Sequence, residues 1–113
     1  MQFGFTADQD NKTLPKTLLA GFLDAMDTVI TWQTPDQSEV AAFKLRDDLN
    51  RLADDLIAAT QSWKQGAWVL QNTWSGFPDP AEFLFLGFDG QGQVNATGYF
   101  EDWPSYWHRQ EQD

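Results

Sequence analysis

The chain has 113 residues, 42% of them hydrophobic and 15% aromatic, and its 17 acids against 7 bases leave a net charge of −10. That length fits one domain, which buries roughly 65% of its unfolded surface and so builds a core without staples; the apolar content argues against a disordered chain. The absence of cysteine rules out disulfide frameworks, thiolate nucleophiles and Cys-ligated zinc.

The charge is spread along the chain. Residues 1–60 hold ten acids and five bases, and residues 61–113 hold seven and two, so each part carries half the excess. Such a surface repels nucleic-acid phosphates and anionic membranes. The expected partner is therefore a protein, neutral or basic. The opening MQFGFTADQD has neither a basic n-region nor an apolar h-region, so no signal peptide is expected. No apolar run reaches the roughly 20 residues of a membrane span. A cytoplasmic location is expected. The sequons at Asn11 and Asn95 are read as chance.

The aromatics divide the chain. Five precede Ser62 and twelve lie between Trp63 and Trp107. This predicts a single α+β domain over 1–113, with 1–66 mainly helical, 67–101 a β-meander and 102–113 a C-terminal segment.

Phe3 and Phe5 alternate as in a short edge strand. From Leu14 the pattern becomes helical: Leu18, Phe22, Ala25 or Met26, and Val29 recur at three- and four-residue steps. Thr13 is the expected cap, with Pro15 in the first turn. The segment TVITWQ also fits a strand, but the apolar period through Ile30 favours helix to about Thr31. A second, long helix is expected after it. Thr34, Pro35 and Gln37 form a capping box. Ala42, Leu45, Leu49, Leu52, Leu56, Ala59 and Trp63 then step by three and four like a heptad seam. Gly66 is expected to end this rod of about 45 Å. The 42–63 seam serves either the core or a homodimer.

Strands follow in AWVLQNTW, AEFLFLGFD and QVNATGYFE. The second is apolar on both faces and reads as central. DGQG supplies a hairpin turn. The whole predicts two helices, one long, packed on one face of a three- to four-stranded antiparallel meander. Asp102 and Pro104 are expected to start a short C-terminal helix.

No stretch announces catalysis. There is no G-x-S-x-G elbow, and Ser105 beside His108 lacks an orienting acid and an oxyanion hole. One histidine without cysteine makes no zinc site. Asp8 and Asp10 begin a calcium-loop pattern that Lys12 interrupts. Glu82, Glu101, Asp102 and His108 are the residues an acid/base enzyme would use, but nothing in the sequence forces them into one pocket. No catalytic residue, metal or cofactor is expected.

Binding candidates fall in two groups. Asp47, Asp48, Asp54 and Asp55 repeat at i+7 on the long helix, an acidic row suited to a basic protein. Trp74, Trp103, Tyr106 and Trp107 are the aromatic candidates, with Trp103 and Trp107 on one face of the short helix. The leading expectation is a small acidic non-catalytic protein-binding module of the inhibitor, immunity or adaptor kind. The alternative is a small-ligand domain with an aromatic-lined pocket, and the third reading is a carboxylate enzyme.

Overall fold

A computed structural model of the chain describes residues 11–46, 55–60, 66–71, 82–91 and 93–109. Among the described residues are a 3-10 turn (Asn11–Thr13), two α-helices, α1 (Lys16–Met26) and α2 (Gln37–Lys44), and six strands: β1 (Ile30–Trp32), β2 (Leu56–Thr60), β3 (Ala67–Gln71), β4 (Phe83–Phe88), β5 (Val94–Phe100) and β6 (Trp107–Arg109). Strands β2 to β5 form a four-stranded antiparallel meander in chain order, and β1 and β6 pair in parallel as a two-stranded ribbon. The α+β class and the antiparallel meander agree with expectation.

Strand β4 is buried at every position, as its unbroken apolar sequence requires of a central strand. Its side chains alternate between two cores. Phe83 and Phe85 join Phe22 and Ala25 of α1, Trp32 of β1, and Trp107 of β6. Leu84, Leu86 and Phe88 join Phe43 of α2, Leu70 and Tyr99. The two helices thus lie on opposite faces of the sheet, not on one face as expected. A continuously apolar β4 has two faces to cover, and one helix layer covers only one.

Helix α1 packs closely on β5 because two small residues allow it. A Cβ on Gly98 would run into the Phe22 ring, and one on Gly21 would lie 2.6 Å from the Ala96 Cβ. The β4–β5 hairpin closes on Asp89, whose carboxylate accepts from the backbone N–H of Gln91 at 2.8 Å and of Gln93 at 3.0 Å. At its mouth the register shifts between Gly87 and Phe88. Two β5 residues, Val94 and Asn95, then face one β4 residue, and this bulge turns Val94 toward the Phe88 core.

Three expected elements are corrected. Helix α1 stops at Met26, not near Thr31; Thr28 Oγ1 donates to the Asp24 carbonyl at 2.8 Å. The β-branched residues beyond it form β1, registered Ile30 to Trp107 and Trp32 to Arg109. The long helix is not formed either. Helix α2 ends at Lys44, and Leu56–Thr60 is a strand paired with β3. Backbone bonds between Gln33 and Ala59 (2.8 and 2.9 Å) and from Thr60 Oγ1 to the Thr31 carbonyl (2.8 Å) bind it to β1 on its other edge. Leu45 is 84% exposed, so the 42–63 seam is not one face of a helix; Leu49, Leu52 and Trp63 lie outside the described residues. Gly66, expected to end the helix, leads into β3 at a φ of 105° that favours glycine. The α2 capping box is real but two residues later than expected: Asp36 accepts from the Glu39 N–H at 2.8 Å, and Glu39 accepts from the Asp36 N–H at 3.3 Å.

The third correction concerns the C-terminal segment. In place of a capped helix there is a turn closed by Trp107 N–H to the Pro104 carbonyl at 3.0 Å, followed by β6. Pairing with β1 satisfies the backbone of Trp107–Arg109 in extended form, and this outcompetes a helix of barely two turns.

Candidate binding surface

The segment from Glu101 to Arg109 is anchored at two points. The Trp107 indole N–H donates to the Ala25 carbonyl at 2.8 Å in the core. The Ile30 N–H donates to the Tyr106 carbonyl at 3.2 Å. Together they hold the loop against the C-terminal end of α1. Trp107 is buried, Trp103 half-buried and Tyr106 exposed.

Trp103 and Trp107 meet with ring centroids 5.6 Å apart, although no helix brings them together. Trp103 also meets Phe83 at 5.6 Å, Phe100 at 5.8 Å and Trp32 at 6.1 Å. Trp107 meets Trp32 at 5.0 Å, Phe100 at 5.3 Å and Phe85 at 5.7 Å. These rings contact mainly at steep angles, the arrangement that ring quadrupoles favour. The Arg109 guanidinium lies 5.1 Å from the Trp103 ring on its outer side, a cation–π contact.

Tyr106 is 51% exposed, and Val29, whose chain neighbour Ile30 donates its N–H to the Tyr106 carbonyl, is 63% exposed. Sequence periodicity assigns Val29 to the buried stripe of α1; the chain leaves the helix three residues earlier, so Val29 turns outward. Exposed Asp27, Glu101 and Asp102 belong to the same two segments. This juxtaposition of Val29 and Tyr106 is the feature that sequence reasoning missed. The β-branched run Thr28–Thr31 is the signal that points to it.

Of the acidic row, only Asp55 lies among the described residues. Asp47, Asp48 and Asp54 lie outside the described residues, as does Trp74. Asp55 is half-buried directly before β2. Glu82, Glu101, Asp102 and His108 are all exposed; Glu82 Oε1 accepts from Gln71 Nε2 at 3.3 Å. A shallow groove of about 340 Å³ runs along α2, lined by Pro35, Asp36, Gln37, Val40, Ala41 and Lys44. Asn11, set aside as part of a chance sequon, has a structural task. Its side-chain amide donates to the Tyr99 carbonyl at 3.0 Å and accepts from the Tyr99 N–H at 2.7 Å, as a neighbouring strand would.

Among the described residues no helix is long and apolar enough to cross a membrane. No family model, no curated protein and no solved structure matches this chain.

Proposed function

We propose that this protein is a small acidic, non-catalytic module that binds a basic protein, in the manner of an inhibitor, immunity or adaptor protein, and that Val29 and Tyr106 form the apolar centre of the contact. The observation that carries this reading is that both are exposed and that their backbone segments meet where the Ile30 N–H donates to the Tyr106 carbonyl, beside the buried Ile30 and Trp107. Rigid placement lowers the ordering cost of binding. A tyrosine ring adds contact area and a face for a guanidinium. Asp27, Glu101 and Asp102, exposed on the same two segments, carry the sign of the whole molecule, which attracts and orients a cationic partner.

The test is a titration of the ¹⁵N-labelled protein with a short peptide of alternating arginine and leucine, against its glutamate–leucine counterpart. The expected outcome is saturable shifts at Val29, Tyr106, Glu101 and Asp102 with the cationic peptide alone. A joint Val29→Ser, Tyr106→Ser variant is expected to weaken binding at least tenfold. Neutralising Asp47, Asp48, Asp54 and Asp55 together is expected to weaken it less. The opposite ranking would move the contact to the acidic row, and equal response to both peptides would overturn the proposal.

A further inference from the structure

We infer that Asp89–Gly90, at the head of the β4–β5 hairpin, is a modification site: the Asp89 carboxyl closes onto the Gly90 nitrogen and the link reopens as isoaspartate, at a rate that the closed hairpin holds down. Asp89–Gly90 is the one Asp-Gly pair in the chain, and there is no Asn-Gly pair. Glycine in the second position matters because no Cβ stands beside its nitrogen to obstruct the approach. Gly90 is exposed, and nothing lies within 4 Å of where a Cβ would stand. Its N–H makes no hydrogen bond among the described residues. Asp89 is half-buried and Gln91 exposed, so water reaches the turn.

The reaction needs no reagent but water. The Gly90 nitrogen adds to Asp89 Cγ and gives up its proton. One carboxyl oxygen takes that proton and one from solvent and leaves as water, and a five-membered cyclic imide remains. Water then opens the ring at either carbonyl and returns a proton to solvent. Opening at the side-chain carbonyl restores aspartate. Opening at the main-chain carbonyl leaves the chain running through Cγ, one methylene longer, with a free carboxylate on Cα. The net charge is unchanged.

The hairpin opposes the first step. Asp89 Oδ1 accepts from the Gln91 N–H at 2.8 Å and from the Gln93 N–H at 3.0 Å, and the Asp89 N–H donates to the Gln93 carbonyl at 2.9 Å. Both bonds to Oδ1 are charge-assisted, and their charged acceptor disappears when the carboxyl becomes an imide. Losing one such bond corresponds to a reaction about tenfold slower. Isoaspartate does not put the acceptor back, because its carboxylate sits directly on Cα and the loop is longer. The modification therefore removes the contacts that had slowed it.

The test incubates the full-length protein at neutral pH in water enriched in heavy oxygen, once folded and once in guanidinium chloride. Peptide mapping locates the label. Methyl transfer from S-adenosylmethionine, catalysed by an isoaspartyl carboxyl methyltransferase, counts the isoaspartate. The expected result is label and isoaspartate at residue 89 in both states, formed at least about tenfold faster in the unfolded chain. Gly90→Ala is expected to slow the reaction in both states, and the open space at Gly90 lets that variant fold. The isolated isoaspartyl form is expected to exchange the Gln91 and Gln93 amides faster than the parent. A folded rate equal to the unfolded rate, or no label at residue 89 of the folded protein after many half-lives of the unfolded reaction, would overturn the inference. Wild-type speed in unfolded Gly90→Ala would overturn it as well.

Discussion

The Trp107 indole N–H and the Ala25 carbonyl meet at 2.8 Å across 82 residues of chain. This bond hangs the last described strand on the end of the first helix. Trp107→Phe removes the donor and some ring volume, and is expected to cost about 1–3 kcal/mol. Trp107→Ala also empties the space between Trp32, Phe85 and Phe100, at about 3–5 kcal/mol. Urea unfolding curves of the three proteins check the order and the spacing.

A Cβ added at Gly98 would overlap the Phe22 ring of α1. Gly98→Ala forces the Phe22 ring to move and is expected to destabilise by about 1–3 kcal/mol. At Gly90, in the β4–β5 hairpin, an added methyl group would meet nothing within 4 Å, so Gly90→Ala is expected to stay within about 0.5 kcal/mol of wild type. Thermal melts of the two variants side by side are the measurement.

Asn11 closes on Tyr99 with one donor and one acceptor. Asn11→Ala removes both bonds at an expected cost of about 1–3 kcal/mol, with faster hydrogen exchange at the Tyr99 amide. Asn11→Asp keeps an acceptor for that amide and replaces the donor with an oxygen facing the Tyr99 carbonyl. It is expected to restore exchange protection only in part.

Asp36 caps α2 through the Glu39 N–H. Asp36→Ala is expected to cost about 1 kcal/mol, and Asp36→Asn much less. Thr34→Ala, at the position that the sequence pattern favours, is expected to change little. Chemical denaturation of the three variants places the cap.

Strand β4 and its hairpin were legible because their signals are local: a run apolar on both faces, then Asp89 and the glycines around it. The stretch Leu56–Thr60 was not. Over five residues, apolar side chains at nearly every position fit a helix seam and a doubly buried strand alike. The choice falls to partners distant in sequence: Gln33 on one edge and β3 on the other. Trp103 and Trp107 were expected to share one face of a short helix, which does not form. Spacing by four matters on a helix; here a turn and a parallel strand bring the rings together. Val29 and Asn11 were missed because their roles depend on Tyr106 and Tyr99, which no window of neighbouring residues contains.

The pairing of β1 with β6 also bears on synthesis. Ile30 and Trp32 leave the ribosome long before the residues that cover them. At about 5–20 residues per second, roughly 4–16 s separate the Ala25 carbonyl from the indole that caps it. Throughout that interval a nascent chain carries Ile30 and Trp32 without their β6 partners. The β1–β6 ribbon can close only after Trp107 has emerged.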